Sequence, residues 1–118
     1  MAAGQRYSWR MRMLMKVSIP VEQGNAAAVS GKLGATIQTI LGELKPECAY
    51  FISENGMRTG IIVFDMKTQS QIPAIAEPWF LAFNAVITLT PAMTPQDLAE
   101  AMPGIEKAVK AYGKSAGA

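Results

Sequence analysis

The side chains able to do chemistry are few, and one kind is missing: none of the 118 residues is histidine. Histidine is the usual general acid–base group and the commonest metal ligand. Its absence removes Ser–His and Cys–His nucleophile systems, haem held by a proximal imidazole and the usual zinc sites. The acids lie singly, without calcium-loop spacing, so neither a metal nor a cofactor is expected. Five candidates for ligand contact remain: Lys16, Tyr50, Arg58, Asp65 and Trp79. Tyr50 and Arg58 flank a turn at 54–56, where a phenol and a guanidinium could orient an anion. Lys16 and Asp65 stand on strand-like segments and could line a pocket. Trp79, Phe80 and Phe83 crowd the run IAEPWFLAFNA, next to the lone carboxylate Glu77.

Each candidate also has a plainer reading, and the plainer one is favoured throughout. Lys16 with Asp65 makes a rim ion pair, worth under about 1 kcal/mol. Tyr50 with Arg58 makes a cross-strand pair, stem against stem. Glu77 is a solvated helix residue, and the aromatics seal a core or an interface, with Trp79 bordering any pocket. Cys48 is a small strand hydrophobe. As the single cysteine it forms no internal disulfide and fits a reducing cytoplasm, the expected location.

The elements that must position these groups follow from hydrophobic period. MLMKVSI at 13–19 alternates, with Met13, Met15, Val17 and Ile19 on one face, and Pro20 ends the strand. Residues 22–44 change to helical spacing through Val29, Leu33, Ile37, Ile40, Leu41 and Leu44, which predicts one long amphipathic helix closed at Lys45-Pro46. Glycines at 24, 31, 34 and 42 weaken it, and those at 31 and 34 suggest close approach to a sheet. CAYFIS and MRTGIIVFDM flank Glu54-Asn55-Gly56, a strong hairpin signal because Asn-Gly readily takes positive φ. The IIVF run suits a strand covered on both faces.

A second helix starts after Ser70. Pro78 should kink or restart it, since it removes the hydrogen bond to the Ala74 carbonyl, and Asn84 supplies a left-handed stop. AVITLT at 85–90 is the fourth strand. Thr94-Pro95-Gln96-Asp97 caps a last helix, expected in two pieces around Pro103-Gly104. The order β-α-β-β-α-β plus a C-terminal helix is α+β: an antiparallel four-stranded sheet with two helices on one face, the ferredoxin-like plan.

Half of the residues are hydrophobic and 17% are charged, a globular composition for one domain at 11–112, rich in apolar surface for its size. Two helices leave the second sheet face bare, and that face still carries Leu14 and half of IIVF. The economical cover is a second copy, sheet to sheet, in a two-fold homodimer. Residues 1–10 are expected to form a flexible arm and 113–118 a disordered tail. Residues 1–16 hold four bases and no acid, while the rest holds seven bases and nine acids, so the body is near neutral and lacks a nucleic-acid stripe. Nucleic acid is disfavoured on a second ground. RTGIIVF faintly echoes the third-strand motif of RNA-recognition domains, but isoleucines stand where stacking rings belong. No apolar run is long enough for a membrane span, and no secretory signal is evident.

LKPECAYF, ENGMRTGIIVFDM and IPAIAEPWFLAFNA followed by TPAMTPQDL resemble an uncharacterised bacterial family of the dimeric α/β-barrel superfamily, over about Met11 to Tyr112. The resemblance implies two ferredoxin-like subunits closing a barrel. That superfamily includes cofactor-independent monooxygenases, muconolactone-isomerase-like enzymes, haem enzymes and ligand-binding modules. Its histidine-dependent sites have no counterpart here, and shared fold is not shared function. The leading expectation is a homodimer able to hold a small apolar ligand. The alternatives are a cofactor-free oxygenase or isomerase working through Tyr50, Arg58 or Lys16, and a non-catalytic structural or adaptor dimer. Convergence of Lys16, Tyr50 and Arg58 in one cavity would favour the enzyme.

Overall fold

A computed structural model describes residues 10–113; expectations for 1–9 and 114–118 lie outside the described residues. The chain runs β1 (Met11–Ile19), α1 (Val21–Val29), α2 (Leu33–Leu44), β2 (Cys48–Glu54), β3 (Met57–Met66), a short 3-10 turn (Gln69–Gln71), α3 (Ile72–Phe83), β4 (Val86–Pro91) and α4 (Pro95–Tyr112). The fold is α+β. All four strands join one antiparallel sheet in the order β2-β3-β1-β4.

Alternation along β1 decides the core. Met13, Met15, Val17 and Ile19 are buried, as are Ile62, Phe64 and Met66 on β3 beside them. Ile40 of α2 and Trp79 and Phe83 of α3 close over these side chains, with Leu33, Ile37, Leu41 and Leu44 packed at the margin. The opposite sheet face has no such cover among the described residues. It carries half-buried Leu14, Ile61 and Val63, and exposed Tyr50, Ile52 and Val86.

Several local signals act as expected. Asn55 and Gly56 take φ of 55° and 76° in a two-residue hairpin turn that pairs Glu54 with Met57. Asn84 closes α3 in the left-handed region at φ 51°, ψ 37°. Thr94 and Asp97 form a reciprocal capping box at α4, with N–H···O distances of 3.0 and 2.9 Å.

Other expectations are corrected. The long helix over 22–44 is two helices, because Gly31 adopts φ +77° and redirects the chain at 30–32. Val29, placed in the buried stripe by spacing, is therefore 90% exposed. Gly31 and Gly34 do not serve a close approach, since a Cβ at either would meet nothing within 4 Å. The entry to α3 is capped by Thr68 and Gln71 through the 3-10 turn, not by Ser70. Pro78 lies inside a continuous α3, so one lost backbone hydrogen bond is outweighed by burial of the Trp79–Phe83 face. Pro103 likewise fails to divide α4, an unbroken helix of 18 residues.

α4 has no buried residue, and its stripe Leu98, Met102, Ile105 and Val109 is 44–61% exposed. The radius of gyration is 18.9 Å and the longest extent 61 Å. A compact domain of this length would have a radius near 13 Å. α4 thus projects from the body with its apolar face unpartnered among the described residues.

Candidate functional site

β2 is an edge strand, and the helical layer does not reach over it fully. Phe51, on the helix-facing side of β2 by register with Gly60, is 53% exposed. Between this strand and the helices lies a cavity of about 640 Å³. Its apolar wall includes Val17, Leu33, Ile37 and Trp79, and Val21 and Phe51 border it as half-exposed side chains. Such a wall with few polar groups is the common form of a small-molecule site.

Two of the polar residues that line the cavity stand out, Trp79 and Arg58. The Trp79 side chain is fully buried, yet its indole Nε1 has no hydrogen-bond partner among the described residues. A buried donor left unpaired costs about 1–3 kcal/mol, so it calls for a partner. The second is Arg58. The alternation of β3 puts Arg58 on the same side as Gly60, Ile62 and Phe64, toward the helices. Its Nη1 donates to Asn25 Oδ1 at 3.0 Å, and it has no carboxylate partner among the described residues. Gly24 makes this placement possible. A Cβ there would sit 2.7 Å from Arg58 Nη1 and 3.3 Å from Ile19 Cγ2. A glycine that only weakens a helix in sequence is, in the fold, the floor under a guanidinium.

The remaining candidates stand elsewhere. Lys16 and Tyr50 lie on the opposite, open face, both beside Ile61. Lys16 pairs with Glu54 at 3.1 Å, and the expected Lys16–Asp65 pair does not form. Register explains this, for Lys16 faces Ile61 while Asp65 faces Arg12, four residues along. Asp65 instead meets Arg10 at 3.4 Å. The expected Tyr50–Arg58 pair fails for the same reason: Tyr50 faces Ile61, Arg58 faces Ser53, and their side chains leave opposite faces. Lys16, Tyr50 and Arg58 therefore share no cavity. Trp79 and Phe83 are core, 6.3 Å apart between ring centroids, whereas Phe80 is 39% exposed. Glu77 is exposed, and Cys48 is a half-buried free thiol.

A second hollow, near the start of β1, is lined by Arg10, Arg12, Asp65 and Asp97. Its charges are already matched. Arg12 donates to Glu47 at 2.8 Å, and this bond and charge raise its pKa. The backbone and hydroxyl of Thr94 hold the Asp97 carboxyl below its usual range. These are structural pairs, leaving little charge for a ligand. Among the described residues, no three His, Cys, Asp or Glu side chains cluster as a metal site would require. No helix among them is long and apolar enough to cross a membrane.

The described residues lining the main cavity include no carboxylate, lysine, cysteine or tyrosine. Such a site can bind, orient and exclude water, but its described lining offers no side chain suited to moving a proton near neutral pH, since a guanidinium stays protonated. Neither a protein-family model nor a curated protein matches the chain.

Proposed function

We propose that the protein is a small-ligand-binding domain of ferredoxin-like plan that works as a homodimer, and that its ligand occupies the cavity between β2, β3 and the helices. The observation that carries this reading is the cavity of about 640 Å³, walled by Val17, Leu33, Ile37 and Trp79 and with Arg58 in its lining. The apolar wall would supply most of a ligand's affinity. The lining favours binding over catalysis, because Lys16 and Tyr50 lie across the sheet from Arg58.

The dimer is supported by two apolar surfaces left without partners among the described residues: the open sheet face around Leu14, Ile61 and Val63, and the stripe along α4. A second copy laid face to face would cover the first, closing the barrel that the sequence resemblance implies, and α4 would then lie along the partner. The free thiol of Cys48 is consistent with a reducing, cytoplasmic setting. Native mass spectrometry of freshly purified protein tests the reading. It should give twice the chain mass plus a small non-protein increment lost on denaturation. A monomer of bare chain mass, from repeated preparations, would contradict it.

A further inference from the structure

Resting on the ligand-binding reading, we propose that the ligand is an apolar monocarboxylate whose carboxylate is taken by Arg58. The polar side chains of the described lining are Asn25, Ser53, Arg58 and Thr59, besides the indole of Trp79. Asn25 Oδ1 already accepts from Arg58 Nη1, and Thr59 Oγ1 already donates to the Met57 carbonyl. The spare hydrogen-bonding capacity of Arg58 is all donor, so the group it can take is an acceptor. Arg58 adds one positive charge with no carboxylate against it among the described residues, so a single anionic head is matched.

The geometry selects among anions. A guanidinium presents paired parallel N–H groups that fit a carboxylate in a two-point contact. A phosphate monoester carries up to two negative charges, whereas the described lining holds one cation, Arg58, so the monocarboxylate is the better match in charge. The guanidinium is also held in place before any ligand arrives. Asn25 fixes one nitrogen at 3.0 Å, and Gly24 leaves the room in which it lies. Preorganisation of this kind reduces the ordering cost on binding. The cavity of about 640 Å³ has room for an apolar body such as a fused bicyclic ring or a medium alkyl chain.

Isothermal titration of the full chain with 2-naphthoate, its primary amide and 2-naphthyl phosphate separates the claims. The acid should bind about tenfold or more tightly than the amide. Arg58→Gln should bring acid and amide to similar affinity by weakening the acid much more than the amide, and Arg58→Lys should keep part of the preference. Gly24→Ala, which crowds Nη1, should fall between wild type and Arg58→Gln. Equal affinity of acid and amide for the wild type would overturn the carboxylate assignment while leaving a ligand-binding cavity. So would tighter binding of the phosphate, or an acid preference that survives Arg58→Gln. Binding of none of the three, with the Trp79 indole N–H resonance unmoved, would overturn the cavity reading itself and the inference with it.

Discussion

Replacing Trp79 by phenylalanine separates two effects that the folded chain combines at one position. The side chain is fully buried, so shortening it removes packing, but it also removes a donor that has no partner among the described residues. Phenylalanine is smaller by about 40 Å³, which at about 24 cal/mol per Å³ of cavity is a loss of about 1 kcal/mol. Apolar area lost from burial, on the order of 40 Å² at about 25 cal/mol per Å², adds about 1 kcal/mol more. Against this, relief of an unsatisfied buried N–H returns about 1–3 kcal/mol. The ligand-free Trp79→Phe protein should therefore lie within about 1 kcal/mol of wild type, whereas Trp79→Ala should lose about 3–5 kcal/mol. Urea unfolding followed by far-ultraviolet circular dichroism, at one fixed protein concentration because association shifts the midpoint, measures both. A loss above about 3 kcal/mol for Trp79→Phe would mean that Nε1 makes a favourable bond without ligand. That would refute the reasoning from the unpaired donor.

Other substitutions probe separate parts of the account. Ile61→Asp puts a charge at the centre of the open face between Tyr50 and Lys16; sedimentation should show it as a monomer, and a dimer as stable as wild type would exclude sheet-to-sheet pairing. Thr94→Ala removes the cap of α4 and should weaken that helix by about 1 kcal/mol, seen as faster amide exchange in its first turns and little change in β1 or β3; uniform exchange would contradict it. The carboxyl of Asp97 is held below its usual range by the Thr94 backbone and hydroxyl. A depressed folded value means its contribution is complete above about pH 4 and fades as pH falls through that lower value, so α4 should loosen in acid. Asp97→Asn should flatten that dependence.

Much of the framework was legible where local chemistry decides local structure. Alternation at Met13, Met15, Val17 and Ile19 identified the buried face of β1. Asn55-Gly56, Asn84 and the Thr94–Asp97 box set a turn, a stop and a start through backbone preferences that act over a few residues. The breaks were harder to read. Gly31 ends a helix because its neighbours give the chain nothing to bury there, whereas Pro78 and Pro103 do not, since one missing donor is a small loss in a long helix.

The candidate site was only half legible, although one part was within reach. A two-residue turn pairing Glu54 with Met57 fixes the β2–β3 register, placing Tyr50 against Ile61 and sending Arg58 to the side of Ile62 and Phe64. A cation in register with a buried apolar row was the available signal. Asn25 and Gly24 carried none, because their role depends on a helix laid over a strand far along the chain. Trp79 is among the residues lining the cavity, but the isolation of its Nε1 is a property of the packed fold.

The central claim is that a ligand enters the cavity on the helix side of the sheet. Its most direct test is the amide, methyl and indole NMR spectrum during titration with 2-naphthoate. The account predicts a downfield shift of the Trp79 indole N–H with changes at Val17, Leu33 and Ile37, while Leu14 and Tyr50 stay in place. Changes centred on Leu14, Ile61 and Tyr50, with the Trp79 indole unmoved, would contradict it.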